Sequence, residues 1–290
     1  IILEGNKAVG LEVESGNENF KIFGNEIIIS GGSIGSPHLL MLSGIGPSDN
    51  LNEVGIPVIN NLPGVGQNLR DHPQVSVIWN VKDSYEHDKE GTNRVITVGL
   101  RYTADGSNLH NDMLIHQTSV AFPDMYFGEV SSGVAMSACL YLAKGLGELK
   151  IKSSDPTEQP YLNYNYFREE EDLRRMRECV RLCVKVGEGE TYSHIISDRI
   201  QPTDEQLNDD EALNSWLKQN ATTSHHITST CKMGPSTDPM TVVNQFGKVH
   251  GIDGLRIGDA SIMPNCVRAN TNVPSMMVGE KIAEFIKQGK

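Results

Sequence analysis

Two short stretches of this sequence combine residue types and spacing that can do chemistry. His225 and His226 stand side by side in a polar Ser/Thr run, with no helical apolar period to bury them. Imidazole is the side chain whose unperturbed pKa lies near neutrality, which is what moving a proton at ordinary pH requires. Further on, Asn270-Thr271-Asn272 stand just before Pro274 and a helix-forming segment. They fit a helix start, where a side-chain oxygen caps free N–H groups and a first-turn proline loses no bond. The positive end of such a helix suits an anion or an electron-rich ligand atom. Capping alone would equally account for Asn270 and Asn272.

The elements that must hold these residues are legible in outline. Ala8 to Val13 alternates as a strand, residues 15–17 turn it, and Phe20 to Phe23 returns. Glu26 to Ser30 is a short apolar run ending in Gly31-Gly32, which suits a buried strand whose C-terminal end opens on a ligand. Ser36-Pro37 is expected to start a helix through Leu42, with Gly44 as the stop. The glycines of 31–46 serve turn geometry or let backbone approach a ligand closely. Segments Gln74–Val81, Arg94–Tyr102, Asp112–Ser119 and Val134–Leu142 predict an antiparallel sheet. Leu173, Met176, Val180 and Val184 mark one face of a helix over 169–186, whose Arg and Glu residues read as its solvated face. A second helix is expected over 209–219, and a last one carries Val278, Ile282, Phe285 and Ile286 on one stripe.

Composition narrows the class. A chain of 290 residues, 38% hydrophobic and 21% charged, is long enough for one large or two ordinary globular domains. Its net charge of −12 argues against nucleic acid as a partner. Five cysteines without a paired C-x-x-C predict neither a metal site nor a disulfide framework, and Cys179 and Cys183 are expected to face the core. No apolar run approaches the roughly 18 residues of a membrane span, and no signal peptide is recognisable. The compartment is left open, with a soluble cytoplasmic location favoured. His38, His87, His110, His116, His194 and His250 are scattered without metal-ligand spacing, so no metal is expected. Trp79, Tyr126 and Phe127 line a pocket or belong to the core.

Several motifs fall in one order along the chain. H-I-T-S-T-C-K-M-G-P begins at His226, L-R-I-G-D-A-S-I-M-P at Leu255, and N-T-N-V-P-S-M-M-V-G-E-K at Asn270. Upstream, Gly32 to Gly46 reads G-S-I-G-S-P-H-L-L-M-L-S-G-I-G, and Leu62 to His72 reads L-P-G-V-G-Q-N-L-R-D-H. Together they resemble the glucose–methanol–choline family of FAD-dependent flavoprotein oxidoreductases, and they bracket most of the chain.

The resemblance implies a mixed α/β (α+β) fold. Part of a Rossmann-like FAD-binding domain would lie at 1–72 and 225–290, and an antiparallel-sheet substrate domain with helices at 73–224. It implies oxidation of an alcohol to a carbonyl by proton abstraction and hydride transfer to the flavin N5. His226 would be the catalytic base and Asn270 would hold the substrate oxygen. His225 would pack beside the flavin, with Gly32 and Ser33 near it. Asp259 and Ala260 would lie by its ribityl and phosphate region, and Thr271, Asn272 and Pro274 would form the helix start facing its ring. The implied partners are a small alcohol and an electron acceptor, whether oxygen, a quinone or a cytochrome.

Two departures matter. Ser229 stands where the family pattern H-x-x-G-T has glycine. No strand followed by G-x-G-x-x-G, the grip on the ADP half of the cofactor, is found near Ile1. The expectation is therefore a C-terminal portion whose FAD-binding half lies in the same or a separate chain. Two other readings stay open: a hydroxynitrile-lyase-type flavoprotein working without redox, and a non-catalytic fragment or subunit.

Overall fold

The structure, a computed structural model, describes residues 1–16, 18–85, 96–119 and 133–290. His87, Tyr126, Phe127 and the first two residues of the strand expected from Arg94 lie outside that set. The described helices are α1 (Gly32–Leu42), α2 (Ser48–Glu53), α3 (Glu170–Gly187), α4 (Asp204–Asn208), α5 (Asp210–Asn220) and α6 (Asn272–Lys287). The chain divides into two compact units, one of Ile1–Asp71, Leu146–Asn165 and His226–Lys290, the other of His72–Gly145 and Tyr166–His225.

In the first unit, strands Ile2–Glu4, Lys7–Ser15 and Glu18–Phe23 form an antiparallel meander. Strand Ile27–Ile29 pairs in parallel with Leu255–Ile257, so the two motif-bearing ends of the chain are joined in one small sheet. Ile27 and Ile29 are buried, but Ile28 between them is 45% exposed, so the strand is covered on one face only. The core gathers Leu40, Met41, Ile45 and Leu51 with Val242, Val243, Ile257 and Ile282. On α6 Ile282 is buried, and Val278, Phe285 and Ile286 pack beside it.

The helix expected from Ser36-Pro37 starts one turn earlier, at Gly32, and Pro37 lies inside it. The segment Leu146–Asn165, expected in the second domain, groups with the first unit instead. Its Gly147 exchanges backbone hydrogen bonds with Leu69, and the Leu149 N–H donates to the Gly66 carbonyl. Leu149 and Ile151 are buried in the first core.

The second unit is built on a six-stranded antiparallel sheet. Its path runs from Ile196–Gln201 to Pro73–Val81, Gly133–Leu140, Met113–Thr118 and Ile96–Tyr102, and Thr222–Thr223 also pairs with Pro73–Val81. Val75, Val77 and Trp79 face Leu173, Met176, Cys179, Val180 and Cys183 of α3 in one core, which places Trp79 in the packing. Asp209 starts α5 by accepting the Ala212 N–H at 2.8 Å, an N-cap of the ordinary kind.

One expectation about α3 is overturned. Arg175 is fully buried and Asp172 nearly so. The guanidinium donates to Asp112 at 2.8 Å, to Asp172 at 2.6 Å and to the Leu142 carbonyl at 2.9 Å. Ala104 N–H and Ser107 Oγ also donate to Asp112, while Lys144 and Gly145 N–H groups donate to Asp172. A buried charge survives when every polar atom around it is answered, as here.

Candidate active site

The backbone of residues 226–231 is held from two sides, and all the partners belong to the first unit. On one side, Arg70 and Thr228 exchange backbone hydrogen bonds at 3.0 and 2.8 Å, and the Gly66 N–H donates to the Thr230 carbonyl at 2.8 Å. The Asp71 carboxylate accepts the His226 N–H at 3.0 Å, and Asn68 Nδ2 donates to the Ser229 carbonyl at 3.3 Å. On the other side, Ser229 N–H donates to the Ala260 carbonyl and Cys231 N–H to the Ser261 carbonyl. A loop without secondary structure of its own must place its backbone groups in this way. The Leu62–His72 motif therefore acts as a strap along the histidine loop.

Ser229 fills the family's glycine position with a glycine's conformation, φ +76, and is wholly buried. Its hydroxyl lies 3.0 Å from Thr228 Oγ1. The substitution therefore keeps the loop path and costs backbone strain.

Two side chains from the C-terminal motifs tie down the turn at Gly31–Ser36. Asp259 accepts the Gly32 N–H at 3.0 Å, the Ser36 hydroxyl at 2.5 Å and the Ser261 N–H at 2.8 Å. This carboxylate sits at the start of α1, where it satisfies an orphan N–H and the positive helix end. It explains why α1 begins at Gly32. Pro37 has no N–H to offer the Ser33 carbonyl one turn back. Thr230 Oγ1 supplies the missing donor at 2.7 Å. The proline and the threonine are thus complementary parts of one joint.

The start of α6 contrasts with that of α1. Thr271 precedes it without a side-chain capping bond, and the first turn holds no acidic residue. Pro274, third in the helix, loses no bond. The N-cap position itself is held by Thr271, between Asn270 and Asn272.

The turn at 31–36 leaves open space beside its backbone. Gly32, at φ +72, and Gly35 both face open space where a Cβ would be. The Ser33 hydroxyl is buried without a hydrogen-bond partner among the described residues. Glycine and an unanswered hydroxyl are what a closely approaching planar ligand uses.

Among the predicted residues, His226, Asp259, Ala260, Gly32, Ser33 and the start of α6 at Thr271, Asn272 and Pro274 all belong to the first unit, as does the exposed Asn270. Cys266, four residues before Asn270, places its thiol 3.7 Å from the His226 carbonyl. Burial, with the Asp71 charge adding to it, pushes that thiol up to about 12, so it stays a donor. His225 closes the second unit in a left-handed turn, φ +60, its N–H on Thr223 Oγ1 at 2.8 Å. Ala260 contributes through its carbonyl.

Sequence reading passed over Asp71, Asn68 and Thr230. All three lie inside the motifs quoted above, and a polar residue within an otherwise constrained turn was the available signal. Among the described residues no group of three or more His, Cys, Asp or Glu side chains converges on a possible metal. A groove of about 750 Å³ runs along α6, lined by Met233, Ile262, Met277, Ile282 and Phe285. None of the predicted site residues lines it.

Comparison with known proteins fits this arrangement. Residues 1–74 match the N-terminal and residues 143–279 the C-terminal family model described as GMC oxidoreductase. The chain belongs to the GMC oxidoreductase family. The match over 1–74 adjusts the expectation of a C-terminal portion alone, since part of the family's N-terminal region is present. Mitochondrial choline dehydrogenase of Mus musculus is 35% identical over 99% of this chain and 52% of its own length. Oxygen-dependent choline dehydrogenase of Brucella anthropi is 35% identical over 99% and 56%.

Among solved structures, pyridoxine 4-oxidase from Mesorbium loti superposes with a TM-score of 0.90 at 22% identity, over 99% of this chain and 56% of that one. Formate oxidase gives a TM-score of 0.85 at 25% identity, over 98% and 58%. The fold is thus that of GMC flavoproteins, mixed helix and sheet. The chain spans about half the length of the curated relatives it matches.

Proposed function

We propose that this chain forms part of an FAD-dependent oxidoreductase of CH–OH donors, oxidising a small alcohol to a carbonyl. The observation that carries the reading is the two-sided hold on the loop of His226, joined by Thr230 and Asp259 to the turn at Gly32 and Ser33. An imidazole on a fixed backbone can meet a hydroxyl in one geometry, and such placement is a large part of a catalytic rate. His226 takes the hydroxyl proton, and Asn270, an amide that cannot act as base, donates a hydrogen bond to the same oxygen. Bound FAD would supply the acceptor for the hydride of the substrate carbon. The start of α6 at Thr271, Asn272 and Pro274 would hold the cofactor at its positive end, where negative charge is favoured. Asp259 acts by shaping the turn, with Ala260 beside it.

In this reading the first unit contributes to the FAD-binding domain and the second is the substrate-binding domain, with His225 flanking the flavin. The relatives named choline dehydrogenase make choline the first alcohol to try, and the oxygen-dependent ones make oxygen the first acceptor. The remainder of the family fold, in the same or a separate polypeptide, completes the cofactor site. Supporting this, Ile28 on the parallel strand pair and Val273, Met276 and Met277 on α6 are exposed apolar side chains, from 45% to 69%. A parallel sheet is ordinarily covered on both faces. No described helix is long and apolar enough to cross a membrane.

The test is alcohol-dependent bleaching of the bound flavin in the purified holoprotein without oxygen. His226→Ala is expected to slow it by orders of magnitude and Asn270→Ala by less. Flavin that stays oxidised while substrate is consumed, or equal and mild losses in both variants, would overturn the reading.

A further inference from the structure

A residue with no assigned role holds the backbone of the proposed base. Asp71 is 5% exposed, and its Oδ1 accepts the His226 N–H at 3.0 Å. The reason lies in the register of the strap. Arg70 and Thr228 exchange both of their backbone bonds, the pattern of one antiparallel rung. The next rung of such a ladder would pair residue 226 with the residue two beyond Arg70. The left-handed turn at His225 carries the chain off that register. The His226 N–H would then lie unsatisfied next to a buried segment, and the side chain of Asp71 takes it.

A carboxylate is a stronger acceptor than a carbonyl, because its charge assists the bond. Its short side chain leaves little slack. The carbonyl of His226 accepts from the Cys266 thiol at 3.7 Å. Both backbone polar groups of this residue are therefore held by side chains, while the Arg70–Thr228 rung holds the residues beyond it.

We propose that Asp71 is the positioning residue of His226, its carboxylate fixing the backbone from which the imidazole is presented to substrate. This rests on the reading of His226 as the base. A displacement of the base of about 1 Å is enough to cost about 100-fold in rate.

The test uses the flavin-loaded protein and two substitutions. Asp71→Ala removes the acceptor, and is expected to lower the limiting rate of flavin reduction by about 10–100-fold with a smaller change in KM. Amide hydrogen exchange at His226 in the substrate-free protein should quicken with it. Asp71→Asn keeps an oxygen in place, and is expected to restore both the rate and the exchange protection to within a few-fold of the parent. If Asp71→Ala fails to fold, Asp71→Ser, whose hydroxyl is one bond too short to reach, takes its place in the comparison.

A folded Ala or Ser variant with unchanged limiting rate overturns the proposal, even if exchange at His226 has quickened. Failure of Asn to restore the rate that Ala loses overturns it as well. The underlying reading fails separately, if His226→Ala leaves flavin reduction intact while exchange at the 226 amide still responds to Asp71.

Discussion

Asp259 in the first unit and Asp112 in the second are both buried aspartates, and their surroundings differ in kind. Asp112 is answered by the Arg175 guanidinium as well as by Ala104 N–H and Ser107 Oγ. Asp259 is answered only by neutral donors, two backbone N–H groups and one hydroxyl, and no cation pairs with it among the described residues. Asp112 and Arg175 fasten a helix to the end of a sheet, where the strength of the pair matters more than its angle. Asp259 fastens two turns at a candidate cofactor site, where direction matters more. N–H groups at a helix start can hold a carboxylate without a counter-charge, and they dictate its orientation while doing so.

The largest break in this comparison is Arg175→Leu. It leaves Asp112 and Asp172 buried and uncompensated, and should cost about 3–5 kcal/mol. Both tryptophans, Trp79 and Trp216, lie in the second unit, so denaturant unfolding followed by their fluorescence reads this unit. Replacing Asp112 by Asn in the same background should return part of the loss, and additive losses would count against a coupled node. Acid gives the same contrast without the Arg175 mutation. Burial pushes the Asp112 carboxyl up, but bonds from Ser107, Ala104 and Arg175 outweigh it and hold it below the ordinary 3.8. Its contribution is therefore complete above that value and is lost as pH falls through the lower folded value. Asp112→Asn should flatten this acid limb in the tryptophan signal, and a limb unchanged in the variant would assign it elsewhere.

Asp259→Asn should be milder. One oxygen still accepts, while the amide group now faces a donor, a mismatch of about 1–3 kcal/mol. Hydrogen exchange read on peptides covering 29–36 is the measurement, since it reports the turn itself. Faster exchange there with unchanged tryptophan unfolding sharpens the contrast between the two nodes. Unchanged exchange would mean that α1 does not depend on this carboxylate.

How much of this was legible beforehand follows the range of the interactions. The sheet strands near 74–81, 113–118 and 133–140 and the apolar face of α3 came from local alternation and period, which residues within a few positions decide. The edge strand Ile196–Gln201 was missed because I-S-D-R-I-Q is largely polar and carries no clear alternation. The start of α1 was misplaced because Pro37 marks a helix start in local terms. What moved it is a carboxylate 223 residues away from Ser36 and a threonine 197 residues away from Ser33. Arg175 looked solvated because a helical period sees only polarity, not the two buried carboxylates waiting for it. The motif resemblance singled out His226, Asp259 and Asn270, yet it passed over Asp71, whose bond to the His226 N–H exists only once the strap has folded against the loop.

The smallest expected effect tests the conformational side of the same comparison. Ser229 donates its N–H to Ala260, the neighbour of Asp259, so it belongs to the neutral, direction-dependent node. At φ +76 its Cβ is in the left-handed region, a cost of about 1–2 kcal/mol that glycine does not bear. Glycine in turn gives up more freedom on folding, about 0.5–1 kcal/mol, and forfeits the hydroxyl contact with Thr228. Ser229→Gly should therefore raise stability by about 0.5 kcal/mol and leave flavin reduction within a few-fold, because the backbone path is already the one glycine would take. A loss above about 1 kcal/mol would show that the Ser229–Thr228 hydroxyl pair outweighs the strain. The serine would then be a fastening of the loop in its own right, and direction at this node would be set by side chains as much as by backbone.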